Sequence, residues 1–341
     1  MVAVRVVHLS VLDLVPIASG SSASAALANS TALARRADAL GYTRYWVAEH
    51  HGMPGIGSSS PAVLIAHLAG ATSRIRVGSG GVMLPNHQPL VIAEQFGTLD
   101  ALHPGRIDLG IGRAPGTDQI TALALRRSVD ALSAEDFPQE LARLIGYFEP
   151  GSGTPRVVAV PGRGDAPAIW LLGSSDFSAR LAGILGLPFS FAHHFSAANT
   201  DLALDLYRSE FRPSRWLAEP YAMVAVNAVC AETDERAEWL AGPSGLAFLR
   251  LRQGRPGRLP TPEQAAEYPY SPVEREFVLA RREGQALGSP ETVAAQLTAL
   301  LKRTMADELM LTTMVYDIEA RIRSYELIAE RVRPKLPSSP V

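Results

Sequence analysis

The sequence has a single cysteine and almost no net charge. Its 341 residues include one cysteine, Cys230, and 32 basic residues nearly balance 34 acidic ones, for a formal net charge of −2. A lone thiol cannot form an internal disulfide, so we predict folding in a reducing compartment, the cytoplasm. Near-neutral charge argues against a nucleic-acid partner. A chain of this length buries enough surface to need no structural metal.

Long hydrophobic runs are also missing. Although 47% of the residues are hydrophobic, no stretch approaches the roughly 20 apolar residues of a membrane-spanning helix. The apolar segment at the amino terminus is interrupted by Arg5, His8 and Asp13, where a secretion signal needs an uncharged core. The sequence therefore predicts a soluble cytoplasmic protein that does not associate with membranes.

What the sequence does contain is a regular alternation of short β-branched runs and segments with helical periodicity. The predicted strands cover residues 4–12, 43–51, 75–84, 106–112, 168–173, 187–194, 221–231 and 307–315. The helical segments between them imply crossover connections and a parallel sheet. Eight such units predict an α/β protein with a (β/α)8 barrel. A doubly wound open sheet is the alternative, because the number of strands does not prove closure.

The predicted organisation is a single domain over residues 1–333, followed by a disordered tail at 334–341. One segment, 250–285, interrupts the alternation between strands seven and eight. It is rich in proline, glycine and charge and has little apolar periodicity, which favours a long mobile loop or lid. A tolerated surface insertion without a role fits the same composition equally well.

Polar residues after strands four and five predict an anion-binding site. In a barrel, the functional groups gather at the carboxyl ends of the strands. Ser174, Ser175 and Ser178 follow strand five at the start of a helix, and Arg113 follows strand four. Hydroxyls and unpaired backbone N–H groups at a helix start bind anions, and a guanidinium adds a charged hydrogen bond. A serine that merely caps the helix is the alternative.

Glycines mark strand three and the end of strand four. Gly80 and Gly81 lie inside a predicted strand, where glycine indicates a bulge or a flat ligand against the backbone. Close packing between a helix and the strand is the alternative. The run 108–116 partly matches a dinucleotide-binding fingerprint, but Pro115 stands at the position of the third glycine, so a nicotinamide site is not favoured.

Histidine pairs follow two further strands. Strand two ends in Glu49, His50 and His51, and strand six ends in His193 and His194. Such residues can ligate a metal in a hydrolase, yet the His-x-His motif expected on strand one of such hydrolases is absent. Neighbouring residues of a strand point to opposite faces, so one of each pair reaches the barrel mouth. A general base or proton relay is favoured, and structural histidines remain the alternative.

Three stretches carry a resemblance to a known family. They are WVAEHH at the end of strand two, IRVGSGGVMLPNHQPLVIAEQFGTLDALHPGRIDLGIGRAPG across strands three and four, and WLLGSSDFSARLAGILGLPFSFAHHF across strands five and six. In this order they resemble the bacterial luciferase-like flavin monooxygenases, especially the branch of single-chain oxidoreductases. The resemblance implies a barrel that binds reduced FMN, received transiently from a separate flavin reductase, and that uses dioxygen. It also implies a homodimer that packs through helices near strands two and three.

The resemblance also implies roles for individual residues. His50 matches the family's catalytic histidine, and Arg113 matches its phosphate-binding arginine. Ser175 and Ser178 match the hydroxyls on the phosphate side. Ser174 is added to them because it stands at the same predicted helix start. Gly80 and Gly81 match the segment along the isoalloxazine ring, where the family often has a cis peptide bond. The segment 250–285 would correspond to the family's mobile lid.

The sequence departs from the light-emitting members at two positions. Gly112 stands where the catalytic luciferase subunit has a reactive cysteine, and Ser174 stands where it has an acidic residue. Light emission is therefore not implied, and Cys230 lies away from the reactive position.

The combined expectation is an FMN-dependent monooxygenase without a metal, acting on a small organic substrate such as an aldehyde or another apolar molecule. The alternatives are a deazaflavin-dependent oxidoreductase on the same barrel, a metal-dependent hydrolase, and a flavin-binding protein without turnover.

Overall fold

The fold is built on eight parallel strands that close into a barrel. They are β1 His8–Asp13, β2 Arg44–Val47, β3 Arg76–Ser79, β4 Ile107–Gly112, β5 Ala168–Gly173, β6 Phe189–Phe191, β7 Ala222–Cys230 and β8 Glu308–Thr312. Each strand pairs with the next, and β8 pairs with β1. Closure confirms the predicted (β/α)8 barrel and excludes the open sheet, which would leave two edge strands. The structure is a computed structural model that describes residues 4–5, 7–114, 116–126, 136–150, 157–337 and 339–340.

Helices surround this barrel. Those in the described ranges are α1 Ala23–Ala39, α2 Pro61–Ala71, α3 Pro89–Leu102, α4 Gln119–Arg126, α5 Phe137–Phe148, α6 Asp176–Leu185, α7 Thr200–Ser209, α8 Asp234–Arg252, α9 Pro262–Ala266, α10 Pro272–Ala280, α11 Pro290–Thr304 and α12 Ile318–Leu327. Shorter helical turns cover Leu84–Asn86, Ala197–Asn199, Arg281–Gly284, Ile328–Val332 and Arg333–Lys335. Within these ranges, no helix is long and apolar enough to cross a membrane.

The interior of the barrel is closed at the amino ends of its strands by a group of charged residues. This basal ion cluster consists of Arg44, Arg76, Asp108 and Glu308. Arg44 pairs with Asp108 and Glu308, each at 2.9 Å, and Arg76 pairs with Asp108 at 2.6 Å. An apolar layer packs beside it, formed by Leu12, Trp46, Trp170, Met223 and Met310. The functional groups predicted from the sequence lie at the opposite, carboxyl end of the barrel.

Several strands are shorter than the sequence predicts, and at three of them this changes the position of predicted site residues. β2 ends at Val47 and β6 at Phe191, so both histidine pairs lie in loops beyond the strands rather than on them. β3 stops before a cis peptide bond between Gly80 and Gly81, and the chain resumes pairing at Val82–Met83, beside the end of β4. The residues at the mouth are therefore held by loops, and strand alternation alone does not determine their directions.

The insertion between β7 and β8, for which the sequence predicts a long mobile loop or lid over residues 250–285, contains short helices. Two capping boxes open its short helices, Thr261 with Gln264 at α9 and Ser271 with Glu274 at α10. Each box satisfies two backbone N–H groups and stabilises a helix of little apolar periodicity. Gln285–Gly288 then pairs in parallel with the end of β7. The mobility of this segment stays a prediction.

Part of the carboxyl-terminal tail, for which the sequence predicts disorder over residues 334–341, contacts the rest of the fold. Lys335 forms an ion pair with Glu291 at 2.8 Å, and Leu336 packs against the core. Ser339–Pro340 pairs in antiparallel orientation with Val4–Arg5. Residues 338 and 341 of the tail lie outside the described residues. Pro115, whose position in the sequence disfavours a nicotinamide site, also lies outside them.

Candidate active site

All seven residues that the sequence predicts for the site line one cavity of about 220 Å³ at the carboxyl end of the barrel. They are His50, Gly80, Gly81, Arg113, Ser174, Ser175 and Ser178. Residues far apart in the chain converge here because the loops after β2 to β5 all open at this end. Trp46, Leu12 and Met310 of the apolar layer form part of the same wall.

Among the described residues, Arg113 and the three serines form a cluster of side-chain donors without a protein hydrogen-bond partner. Ser175 is the residue before α6, but its side chain makes no capping hydrogen bond, contrary to the capping alternative. The Arg113 guanidinium lies 4.4 Å over the ring of Phe177 in α6, and no ion pair or hydrogen bond to it occurs among the described residues. A helix start beside an unpaired guanidinium is a typical site for a phosphate.

Gly80 and Gly81 present bare backbone to the cavity. A Cβ on Gly80 would lie 2.7 Å from Cδ1 of Leu12, and one on Gly81 would lie 2.8 Å from the carbonyl oxygen of Gly110. The contact with backbone therefore requires glycine at Gly81 whether or not a ligand binds, whereas a Cβ on Gly80 would meet the end of a leucine side chain that can move. The backbone of the two glycines and the adjoining apolar wall also provide a surface suited to a flat ring system.

His50 lines the cavity next to the buried residue Glu49 in the chain. Its backbone N–H donates to the carbonyl of Ser58, while its Nδ1 atom is buried and has no hydrogen-bond partner in the described structure. Burial lowers the pKa of His50, with the nearby Glu49 carboxylate opposing that shift. The imidazole is therefore neutral at pH 7 and has a polar atom that a bound ligand would satisfy.

Glu49, the residue beside His50, organises two loops. Its Oε1 atom accepts hydrogen bonds at 2.8 Å from Nε2 of both His51 and His87, and Oε2 accepts one at 3.0 Å from the Met83 N–H. Burial by itself raises the pKa of Glu49, but these hydrogen bonds outweigh it and lower the pKa. An ionised Glu49 thus fixes the loop that carries His50. No local sequence pattern indicates His87, which follows the short helical turn Leu84–Asn86.

Part of the ligand set that the hydrolase alternative predicts lies together. Glu49 and His51, joined by His87, place one ligand atom each within 4.8 Å of one another, and His193 and His194 do not belong to this group. Nδ1 of His193 bonds to Thr200 at 2.7 Å, and Nδ1 of His194 donates to the Ala225 carbonyl at 3.0 Å. One histidine of each pair, His50 and His194, lines the cavity.

Burial of the second histidine pair predicts a pH dependence of stability. Burial lowers the pKa of both His193 and His194 to about 4, below the unfolded value near 6.5. Above pH 6.5 neither state is protonated. As the pH falls from 6.5 to about 4, the unfolded chain binds protons that the folded chain does not, so the free energy of unfolding decreases.

Substituting His194 tests this dependence. In His194→Asn, we expect the slope of the free energy of unfolding against pH to be smaller by up to about 1.4 kcal/mol per pH unit between pH 6.5 and 4. Urea denaturation at a series of pH values measures the slope. His8→Asn, at the opposite end of the barrel, is the control. Equal slopes in His194→Asn and the wild type would show that this residue titrates normally when folded.

A second cavity of about 270 Å³ adjoins the first and was not predicted from the sequence. The two cavities share Leu14, His50, His194 and Phe195. The other walls come from the loop after β2, the ends of β7 and β8, and the helical insertion, and they include Arg281 and Thr312. Phe195 is 61% exposed, so it lies at the mouth. Together the cavities fall within the 300–1,000 Å³ typical of small-molecule sites.

Several polar residues at the strand ends do not belong to the site. The Asp13 carboxylate pairs with Arg321 at 2.8 Å and accepts a hydrogen bond from Tyr45 at 2.6 Å, which ties β1 and β2 to α12. Thr313 donates to the Ala228 carbonyl. Cys230 is buried, and burial raises its pKa to about 12, so its thiol is not suited to nucleophilic chemistry.

A closed (β/α)8 barrel with polar groups around a cavity at its carboxyl end is the architecture of barrel enzymes. A family model described as luciferase-like monooxygenase matches residues 7–308. Protein YvbT of Bacillus subtilis (strain 168) is 53% identical over 323 residues, which cover 94% of this chain and 96% of that protein. The luciferase-like monooxygenase of Escherichia coli (strain K12) is 48% identical over 323 residues, covering 95% and 96%.

Solved structures give the same assignment. The crystal structure of apo-MsnO8 has a TM-score of 0.89 at 40% identity and covers 97% of this chain and 99% of its own. The chain belongs to the luciferase-like monooxygenase family, which confirms the resemblance found in the sequence, and it is an oxidoreductase.

Two more distant structures share the fold and differ in cofactor. The oxygenating constituent of 3,6-diketocamphane monooxygenase from Pseudomonas putida, in complex with FMN, has a TM-score of 0.74 at 22% identity and covers 97% of this chain and 100% of its own. An F420-dependent secondary alcohol dehydrogenase has a TM-score of 0.66 at 14% identity, covering 97% and 99%. At these identities the likeness is one of fold, so the choice of cofactor depends on the residues of the site.

Proposed function

We propose that this protein is an FMN-dependent monooxygenase that uses reduced flavin and dioxygen to oxidise a small organic substrate. The observation that carries the proposal is the set of unused donors at the start of α6. Arg113 has no counter-ion among the described residues, and Ser175 makes no capping bond beside it. Donors so arranged suit a terminal phosphate, and the bare backbone at Gly80 and Gly81 suits the adjoining ring.

The proposal assigns each predicted site residue a role in binding FMN or in proton exchange. Arg113, Ser174, Ser175 and Ser178 would hold the FMN phosphate, and the glycine pair would lie along the isoalloxazine. When bound, FMN supplies the activation of dioxygen. His50 would orient the bound molecules and exchange a proton at Nδ1, the buried atom that no described protein group engages. The apolar wall around Trp46 would keep water away from this region when the ligands are bound.

The phosphate-binding role of Arg113 predicts a large loss of flavin affinity. In Arg113→Met, we expect FMN binding to weaken by about 1.5–3 kcal/mol, the contribution of a charged hydrogen bond, or about 10- to 150-fold in Kd. Flavin fluorescence titration measures the change. Arg180→Met is the control, since Arg180 lies on α6 near the proposed phosphate site but pairs with Glu210 at the surface. Unchanged affinity in Arg113→Met would contradict the assignment.

Deazaflavin-dependent chemistry is the principal alternative. It uses the same barrel in other proteins but transfers hydride without consuming dioxygen. Titration of the protein with FMN and with F420, followed by fluorescence, compares the two cofactors directly. We expect tighter binding of FMN, and a clear preference for F420 would replace our proposal with the alternative.

Two further alternatives predict other results. A hydrolase would contain a stoichiometric metal ion, and a flavin-binding protein without turnover would show no oxidation that depends on His50.

A separate flavin reductase is the proposed source of reduced FMN. We expect oxygen consumption with NADH and FMN to require an added reductase. Undiminished consumption by protein freed of every trace of reductase would contradict this part of the proposal.

We also propose a cytoplasmic homodimer that packs through α2 and α3, where Val63, Val91 and Leu102 are exposed. Sedimentation of the wild type and of Val63→Glu tests the dimer, since only the wild type should sediment as one.

A further inference from the structure

The second cavity contains a charged side chain without a partner. Arg281 lies on the turn Arg281–Gly284, between α10 and the strand Gln285–Gly288. Its guanidinium lines a cavity whose other walls are mainly apolar, among them Met53, Ile56 and Leu259. The Nε atom is buried without a hydrogen-bond partner. No hydrogen bond or ion pair of Arg281 occurs in the described part of the chain.

Neighbouring side chains hold Arg281 in place without neutralising it. The guanidinium lies 4.2 Å over the ring of Phe248 in α8, which stacks in turn on Phe277 of α10 at 5.8 Å. The carboxylate of Glu238 forms an ion pair with the adjacent Arg282. Burial lowers the pKa of Arg281 to about 10, and no acidic group opposes that shift. The side chain still carries its charge at pH 7, in a setting where an unpaired charge is unfavourable.

We infer that the second cavity binds the substrate and that the substrate is an amphipathic carboxylic acid, with its carboxylate paired to Arg281 and its apolar body in the cavity. A guanidinium presents parallel N–H donors that match the two oxygens of a carboxylate. Pairing would satisfy the buried donor and neutralise the charge. This inference rests on the proposed function and narrows the substrate class beyond the aldehydes and apolar molecules expected from the sequence.

The arrangement also assigns a direction to the substrate. Arg281 lines only the second cavity, whereas His50 and His194 lie on the wall shared with the first. A molecule anchored by its carboxylate at Arg281 extends its apolar body toward that shared wall. The atom to be oxidised therefore lies away from the carboxylate, on the part of the molecule nearest the proposed flavin site.

Paired neutral and anionic probes test the inference. Octanoate and octanamide have the same chain and differ mainly in charge, and calorimetric titration of the intact protein compares them. We expect octanoate to bind the wild type at least about tenfold more tightly than octanamide. Arg281→Met should remove this preference, Arg281→Lys should keep part of it, and the surface control Arg282→Met should leave it unchanged.

Two results would overturn the inference. One is octanoate binding the wild type no better than octanamide, including no measurable binding of octanoate at millimolar concentration. The other is a preference that persists in Arg281→Met when circular dichroism shows the variant to be folded.

Titration of the same variants with FMN separates this inference from the proposed function. We expect Arg281→Met to bind FMN like the wild type. Loss of FMN affinity in this variant would mean that Arg281 holds the cofactor, which overturns the inference. Failure of the wild type to bind FMN would contradict the proposed function, while an octanoate preference that depends on Arg281 would still support the anionic subsite.

Discussion

Replacing His50 with asparagine is expected to lower the rate of substrate oxidation by a factor of about 10²–10⁴, the usual contribution of a general acid or base. His50 lines both cavities, and its unpaired Nδ1 atom is available to a bound molecule. Because burial lowers its pKa below the ordinary value of 6.5, the rate should decline on acidification only below pH 6.5. Stopped-flow oxidation with pre-reduced FMN measures both effects.

Binding measurements distinguish a role in proton transfer from a loss of structure. FMN affinity in His50→Asn should stay within a few-fold of the wild type, and His8→Asn at the far end of the barrel should be fully active. An unaffected oxidation rate in His50→Asn would remove His50 from the proposed mechanism. Equal losses in rate and in FMN affinity would instead indicate a positioning role.

Replacing Arg44 with methionine is expected to lower the free energy of unfolding by about 3–5 kcal/mol, the typical effect of removing one partner from a buried ion pair. Arg44 is only 11% exposed, and the carboxylates of Asp108 and Glu308 are completely buried. Without Arg44, Glu308 keeps hydrogen bonds from Ser10 and Tyr221 but loses its cation. Urea denaturation measures the change.

An exposed ion pair provides the matched control for Arg44. Arg36 pairs with Glu326 at 2.7 Å and is 42% exposed, so Arg36→Met should lower the free energy of unfolding by less than about 1 kcal/mol. Similar losses in the two variants would contradict the role assigned to the basal ion cluster.

The barrel and the first cavity could be predicted from the sequence because both depend on local patterns. Period-2 and helical-period segments recur often enough to indicate eight units, and closure places the residues after each strand at one end. Arg113 and Ser175 were found for this reason. The capping boxes at Thr261 and Ser271 were equally readable, but the proline-rich composition around them favoured a loop.

Other features depend on tertiary contacts that leave no local pattern. Arg281 stands in an Arg-Arg-Glu run that is indistinguishable from a solvated surface, and only the packing against Phe248 shows it half-buried beside the second cavity. His87 joins Glu49 across two loops, and Arg44 joins Glu308 across 264 residues. Such pairings follow from barrel closure and could not be assigned before the fold was known.

A crystal structure of the complex with FMN tests the central proposal most directly. We predict that the phosphate lies at the start of α6 within hydrogen-bond distance of Arg113 and Ser175, and that the ring lies against Gly80 and Gly81. The second cavity should remain open to substrate. A phosphate bound at Arg281, or a ring outside the first cavity, would contradict the proposal.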